Sequence, residues 1–182
     1  MKGLLLLAPY FEDTEALTTL DILRRAALKV DLVSITTLKL ITQSNVIIYA
    51  DKLIDDINLN DYDFLIIPGG KAVMLTHLKS DITKKVIEHF NYKKQLIACI
   101  CAAPSILGVM GLLDNEQYTC FPGFETYMHG TYLENKKVVV SNNYITSKAM
   151  GTSFEFGYEI IKYLCGEELA KKTINSCYYE MK

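Results

Sequence analysis

Gln95-Leu96-Ile97-Ala98-Cys99-Ile100-Cys101-Ala102-Ala103-Pro104 is the stretch that decides the fold of this chain. Its apolar run is of strand type and stops at Cys101. Two alanines follow, then a proline suited to the first turn of a helix, where a missing N–H is no loss. Small residues directly after a strand let the backbone turn sharply. A side chain at such a turn is pushed out at the carboxyl edge of a sheet, the arrangement called a nucleophile elbow. A thiol there is expected over the positive end of the following helix, which favours the thiolate. Cys101 is therefore the first candidate for chemistry.

Outward from this unit, short apolar runs alternate with helical patterns. The runs lie at residues 4–8, 30–35, 64–67, 96–100 and 138–140, and several are apolar throughout, as strands covered on both faces are. Between them lie helical patterns at 15–28, 82–92, 103–112 and 153–164. In the first of these Ala16, Leu20, Leu23 and Ala27 form one stripe, expected to pack on a sheet. Residues 40–50 read as a small hairpin, because Val46-Ile47-Ile48-Tyr49 follows the polar Thr42-Gln43-Ser44-Asn45. The alternation predicts an α/β three-layer sandwich, a mostly parallel sheet with helices on both faces, in one domain over 1–182.

With 182 residues and half of them apolar, the chain can bury a substantial core. Its net charge of −2 and its isolated lysine pairs leave no basic footprint for nucleic acid or an anionic membrane. The opening Met1-Lys2-Gly3-Leu4-Leu5-Leu6-Leu7-Ala8-Pro9 is too short for a signal peptide and runs into Glu12-Asp13, so it reads as a buried strand. No apolar stretch approaches the ~20 residues of a membrane helix. Five cysteines without paired spacing read as free thiols in a reducing cytoplasm, with no metal site and no cofactor motif.

Ligands of an open α/β sheet bind beyond the carboxyl ends of its strands, where three loops should converge. One carries Tyr10-Phe11-Glu12-Asp13-Thr14-Glu15, one is Pro68-Gly69-Gly70-Lys71, and the third is the elbow. Glu15 has two readings: an acid suiting the positive end of a helix, or a protonated carboxyl beside the Cys101 sulfur that shuttles protons. Pro68-Gly69-Gly70 is either an ordinary turn or a close backbone approach to a ligand. In the second case the N–H groups of Gly70 and Ala102 make an oxyanion hole. Of the three histidines, His89 is expected at a helix surface, while His77 and His129 fall in loops. Alanine follows Cys101, so no local Cys-His dyad exists.

Together these residues resemble the ThiJ/PfpI superfamily, and within it the DJ-1-like branch that includes the bacterial ThiJ/YajL-type proteins. The matching pieces are Glu15 with Leu20-Asp21-Ile22-Leu23-Arg24-Arg25-Ala26, then Leu65-Ile66-Ile67-Pro68-Gly69-Gly70, then Ala98-Cys99-Ile100-Cys101-Ala102-Ala103-Pro104. A fourth is Thr146-Ser147-Lys148-Ala149-Met150-Gly151-Thr152-Ser153-Phe154-Glu155-Phe156, and the match runs from Leu4 to Tyr178-Tyr179-Glu180 in order. The resemblance implies a flavodoxin-like sandwich of the class I glutamine amidotransferase type and a homodimer formed partly through the first helix. It also implies a reactive cysteine, here Cys101, paired with a protonated glutamate, here Glu15. Relatives are linked to oxidative-stress protection through a cysteine sulfinate, to glyoxalase and deglycase activity, and to chaperone behaviour.

The chain also departs from relatives. Some carry a histidine near the cysteine in a Thr-His-Pro segment, but this chain has Thr119-Cys120-Phe121-Pro122. Phe121 cannot transfer a proton. Cys120 is either a small strand residue or a secondary thiol able to resolve oxidised Cys101. Ser44-Asn45 replaces a basic residue of some relatives, Lys148 stands where arginine is frequent, and Ala102 in place of histidine argues against peptidase activity. Two functional expectations result. One is cofactor-independent, glyoxalase- or deglycase-type handling of small reactive aldehydes such as methylglyoxal, or of glycated adducts. The other is a non-enzymatic redox sensor or chaperone acting through Cys101 sulfinate.

Overall fold

The central apolar runs become strands because each is covered on both faces, whereas the run at 138–140 forms an edge strand with Val140 exposed. In the computed structural model, which describes residues 1–180, the strands are β1 (Lys2–Leu7), β2 (Lys29–Ser34), β3 (Lys39–Ile41), β4 (Ile47–Tyr49), β5 (Lys52–Leu53), β6 (Phe64–Ile67), β7 (Leu96–Ile100), β8 (Gln117–Tyr118), β9 (Thr131–Tyr132), β10 (Val138–Ser141) and β11 (Tyr144–Ser147). The helices are α1 (Asp13–Arg25), α2 (Ala72–Leu75), α3 (Asp81–Tyr92), α4 (Pro104–Val109), α5 (Ser153–Cys165) and α6 (Glu167–Ser176). Seven strands form one sheet in the order β10-β11-β7-β6-β1-β2-β5. Every pairing in it is parallel except β10 with β11.

Alternate residues of the central strands feed two cores. Leu5, Leu7, Phe64, Ile66, Ala98 and Ile100 pack with α1, α5 and α6, while Leu4, Leu6, Leu65, Ile67, Ile97 and Cys99 pack with α3 and α4. Fully burying one such leucine or isoleucine is worth roughly 1.5–3 kcal/mol, so the two layers of helices hold the sheet between them. This is the flavodoxin-like three-layer α/β sandwich that the alternation predicts.

Several boundaries move. The first helix starts at Asp13, because the Glu12 side chain caps it by accepting the Glu15 N–H. It stops at Arg25, so Ala27 leaves the predicted stripe and sits exposed in a left-handed turn (φ 59°). There the Ala27 N–H bonds the Arg24 carbonyl and the Leu28 N–H the Leu23 carbonyl, a glycine-free helix stop. The pattern at 103–112 yields a shorter helix ending at Val109, with left-handed Gly111 (φ 70°) just beyond it. The hairpin at 40–50 forms as β3 and β4. β5, β11 and α6 are additions that the apolar runs do not mark. His89 is half-buried rather than on the surface, its ring edge-on to Phe90 at 5.5 Å. Among the described residues, no helix is long and apolar enough to cross a membrane.

Candidate active site

Cys101 leaves β7 with φ at 66°, a left-handed conformation that costs a residue bearing a Cβ about 1–3 kcal/mol. Its own backbone bonds hold it there. The Cys101 N–H donates to the Ser147 carbonyl at 2.9 Å, and its carbonyl accepts from the Phe121 N–H at 2.8 Å. Ala102 and Ala103, both buried, follow without crowding, and Pro104 opens α4. The sharp turn sets the thiol at the carboxyl end of the sheet, where it lines a pocket while still packing against both cores.

Glu15 reaches the same place from the first turn of α1. Its side chain is buried, only 1% exposed. One oxygen, Oε2, accepts the Gly69 N–H at 2.8 Å, and the carboxyl lies beside the Cys101 thiol and near the Met150 N–H. Gly69 is needed for that approach. A Cβ there would lie 2.6 Å from the Cys101 Cβ and 2.8 Å from Glu15 Oε2. Gly70 turns left-handed (φ 88°) and bridges to Phe11, which ties the loop after β6 to the loop after β1. The Gly70 and Ala102 backbone N–H groups lie near the Cys101 sulfur and favour its charged form. The structure thus brings together Cys101, Glu15, Gly70 and Ala102, four residues from three separate loops.

Burial dominates the electrostatics of both Glu15 and Cys101. Burial pushes the Glu15 carboxyl up to about 7, with Glu12 adding to the rise, while the bonds from Gly69, Cys101 and Met150 pull it down. Burial also pushes the Cys101 thiol up, reinforced by the neighbouring Glu15 carboxylate, against the opposing N–H groups of Gly70 and Ala102. α4 begins at Pro104, with Ala102 and Ala103 between it and Cys101, and the Glu15 carboxyl is the titratable group beside the thiol. The geometry sets two acids side by side, so that their titrations are coupled.

Cys120 is buried beside the site, its thiol raised to about 12 by burial. It does not line the pocket, and its nearest link to Cys101 is the backbone bond of Phe121. None of the histidines lines the pocket. His77 is fully buried with its ring on the Thr83 hydroxyl at 3.0 Å, and desolvation holds it down near about 4. His129 is exposed on its loop. Lys148 donates to the Glu134 carbonyl and does not line the pocket. Ser44 hydrogen-bonds Asp13 at the start of α1. Among the described residues no group of three or more His, Cys, Asp or Glu is arranged to hold a metal ion.

The pocket above Cys101 has a volume of about 400 Å³. Sequence reasoning assigned no role to half of its walls: Glu12, Gln43, Met74, Leu75 and Phe124. Glu12 had a usable signal, since it stands three residues before Glu15, the spacing of a helix cap to the third residue of the helix. The other walls carry none, because isolated apolar residues on loops are common on any surface.

Comparison with known proteins follows the same outline. The family model of the DJ-1/PfpI family matches residues 1–163. Protein DJ-1alpha of Drosophila melanogaster is 31% identical over 185 residues, covering 100% of this chain and 85% of that protein. The Parkinson disease protein 7 homolog of Danio rerio is 32% identical, covering 93% of this chain and 92% of that protein. Among solved structures, oxidized Toxoplasma gondii DJ-1 superposes with a TM-score of 0.90 at 31% identity, covering 99% of each chain. With the sheet order, the elbow and the buried glutamate already described, these matches show that the chain belongs to the DJ-1/PfpI family.

Proposed function

We propose that this protein converts α-oxoaldehydes of the methylglyoxal type, free or carried on glycated adducts, to 2-hydroxy acids without a cofactor. The observation that carries this reading is the Cys101–Glu15 pair with two N–H groups near the sulfur. A carboxyl raised to about 7 is poised to take and return protons near neutral pH. As the Cys101 sulfur bonds the aldehyde carbon, Glu15 takes the thiol proton, and the Gly70 and Ala102 N–H groups hold the oxyanion. Glu15 returns that proton to the oxygen, giving a hemithioacetal. The Glu15 carboxylate then takes the proton of the former aldehyde carbon and delivers it to the neighbouring carbonyl carbon, while the hemithioacetal hydroxyl proton passes to the oxygen of that carbonyl. The first carbon is oxidised and the second reduced, which leaves a thioester of a 2-hydroxy acid. Water cleaves the thioester, frees the acid and restores the thiol, so no outside oxidant or reductant is needed.

The test is lactate formation from methylglyoxal. The wild type should produce it, Cys101→Ala should produce none above background, and Glu15→Gln should be slower by about 10²–10⁴-fold. Equal rates in all three proteins would end this reading. The same reading includes a homodimer through α1. Leu17 is exposed on that helix, and Asp13 ties it to the hairpin whose Ile41, Ile47 and Tyr49 are also exposed. A monomer at micromolar concentration in sedimentation equilibrium would remove the dimer.

A second reading, a sensor or chaperone in a reducing cytoplasm, draws on the exposure of the thiols. All five cysteines are free, and Cys101 is the one that lines the pocket while Cys99 and Cys120 are buried. A hydroperoxide would take Cys101 through the sulfenate to the sulfinate, itself reduced to an alcohol or water at each step. The Toxoplasma relative is described in an oxidized form. Peroxide titration with peptide mass spectrometry should show Cys101 modified first, and another cysteine reacting ahead of it would reject the sensor.

A further inference from the structure

The pocket is larger and greasier than methylglyoxal requires. Four of its walls are apolar side chains left partly in water: Phe121 at 45% exposure, Leu75 at 55%, Met74 at 40%, and half-buried Phe124, whose other side packs on the core. Phe121 and Phe124 meet edge to face at 6.4 Å, which stiffens that side of the pocket. Leaving such surfaces in water is unfavourable, and their gathering around one thiol marks a binding site rather than scattered exposure.

The polar walls point the same way. The Glu12 carboxylate is occupied by the Glu15 N–H, and the Gln43 side-chain oxygen by the Lys71 N–H at 2.9 Å. The formal charges lining the pocket are one carboxylate, Glu12, and one ammonium, Lys71. That balance offers no surplus positive charge for a phosphate or a carboxylate on the substrate, so recognition falls to the apolar walls.

We infer that the pocket selects carbonyl compounds with an aromatic or branched apolar substituent, and, resting on the reaction proposed above, α-oxoaldehydes of that kind over methylglyoxal. With the aldehyde carbon on the Cys101 sulfur, the substituent projects between Phe121 and Leu75. Phe121, standing where some relatives have a histidine, thereby exchanges a proton-transfer group for a specificity wall.

The test compares initial rates of mandelate formation from phenylglyoxal with lactate formation from methylglyoxal. Initial rates matter because phenylglyoxal also modifies arginine, and Arg24 and Arg25 are exposed. Differences of a methylene or more in an apolar pocket are worth about tenfold or more in kcat/KM, so phenylglyoxal should lead by at least that factor. Phe121→Ala and Leu75→Ala should each shrink the phenylglyoxal-to-methylglyoxal ratio by about tenfold. A wild-type ratio of one or below, or a ratio unchanged in both variants, overturns the inference. A readout independent of turnover is protection of Cys101 from iodoacetamide by acetophenone against equimolar acetone. If neither aldehyde is turned over but acetophenone protects and acetone does not, the reaction falls and the selectivity stands. Equal protection by the two ketones removes the selectivity itself.

Discussion

Two carboxyl groups at opposite ends of the sheet have opposite fates. Asp31, near the amino end of β2, receives the Lys52 ammonium at 2.9 Å, the Tyr62 hydroxyl at 2.7 Å and the Lys2 ammonium at 3.0 Å. These bonds outweigh its partial burial and pull it down to about 2. Glu15, beyond the carboxyl end of β1, is almost wholly buried with neutral N–H groups, a thiol and another acid for company, and is pushed up to about 7. The amino end of the sheet satisfies its charge. The carboxyl end keeps one in tension, as a site built for proton transfer requires and a stability element does not.

The largest effect that would break this contrast is at Gly70. Its φ of 88° strains any other residue, and a Cβ there would lie 2.5 Å from the Glu12 nitrogen and 2.7 Å from the Tyr10 carbonyl oxygen. Both are backbone atoms and cannot swing aside. Gly70→Ala should cost about 4 kcal/mol or more, read in thermal unfolding as a fall of roughly 10 °C or as loss of the folded protein. A melting temperature within a degree or two of wild type would mean that the loops at the carboxyl end are not locked together as described.

Next comes Glu15 itself. A folded-state value of about 7 against the ordinary 4.5 means that the folded protein retains a proton the unfolded chain has released. Its stability contribution is full below pH 4.5 and is lost as pH rises to about 7. The loss is about 3 kcal/mol, and Glu15→Gln should abolish it. His77 has the opposite slope, because its folded value near about 4 makes stability fall as pH drops below 6.5. The quantity to measure is therefore the difference in unfolding free energy between wild type and Glu15→Gln, which should decline by about 3 kcal/mol between pH 4.5 and 7 and then level off. A difference that stays flat across this range would show Glu15 to be an ordinary solvated acid.

These same residues mark how far the sequence could be read. The elbow was legible because Ala102, Ala103 and Pro104 restrict what can follow a buried strand, and the positive φ of Cys101 is the outcome. The sheet was legible because strands buried on both faces are apolar at every position. β11 was hidden because Tyr144-Ile145-Thr146-Ser147 buries two hydroxyl residues, satisfied in part by the Thr119 N–H on Thr146 and by Ser147 with Thr152. The thiol's setting was only partly legible, because sequence gives proximity to a helix but not the depth of Glu15, which is 1% exposed. The pocket walls come from loops distant in the chain, and only tertiary structure assembles them.

The smallest effect sharpens the comparison from the other side. Asp31 is held near about 2 against an ordinary 3.8, so its contribution is present above 3.8 and disappears as pH falls through about 2. With its side chain 21% exposed, solvent screening reduces what that shift delivers to about 1–2 kcal/mol at neutral pH. Asp31→Asn keeps the size of the side chain and an oxygen for Tyr62, but leaves Lys2 and Lys52 facing no charge. Its unfolding free energy should lie about 1–2 kcal/mol below wild type at pH 7 and converge with it near pH 2. Methylglyoxal turnover should be unchanged, because Asp31 and Cys101 belong to opposite ends of the sheet. A variant that matches wild-type stability at pH 7 would show that the amino-end cluster is as weak as an ordinary surface ion pair, and the two carboxyls would then differ by burial alone.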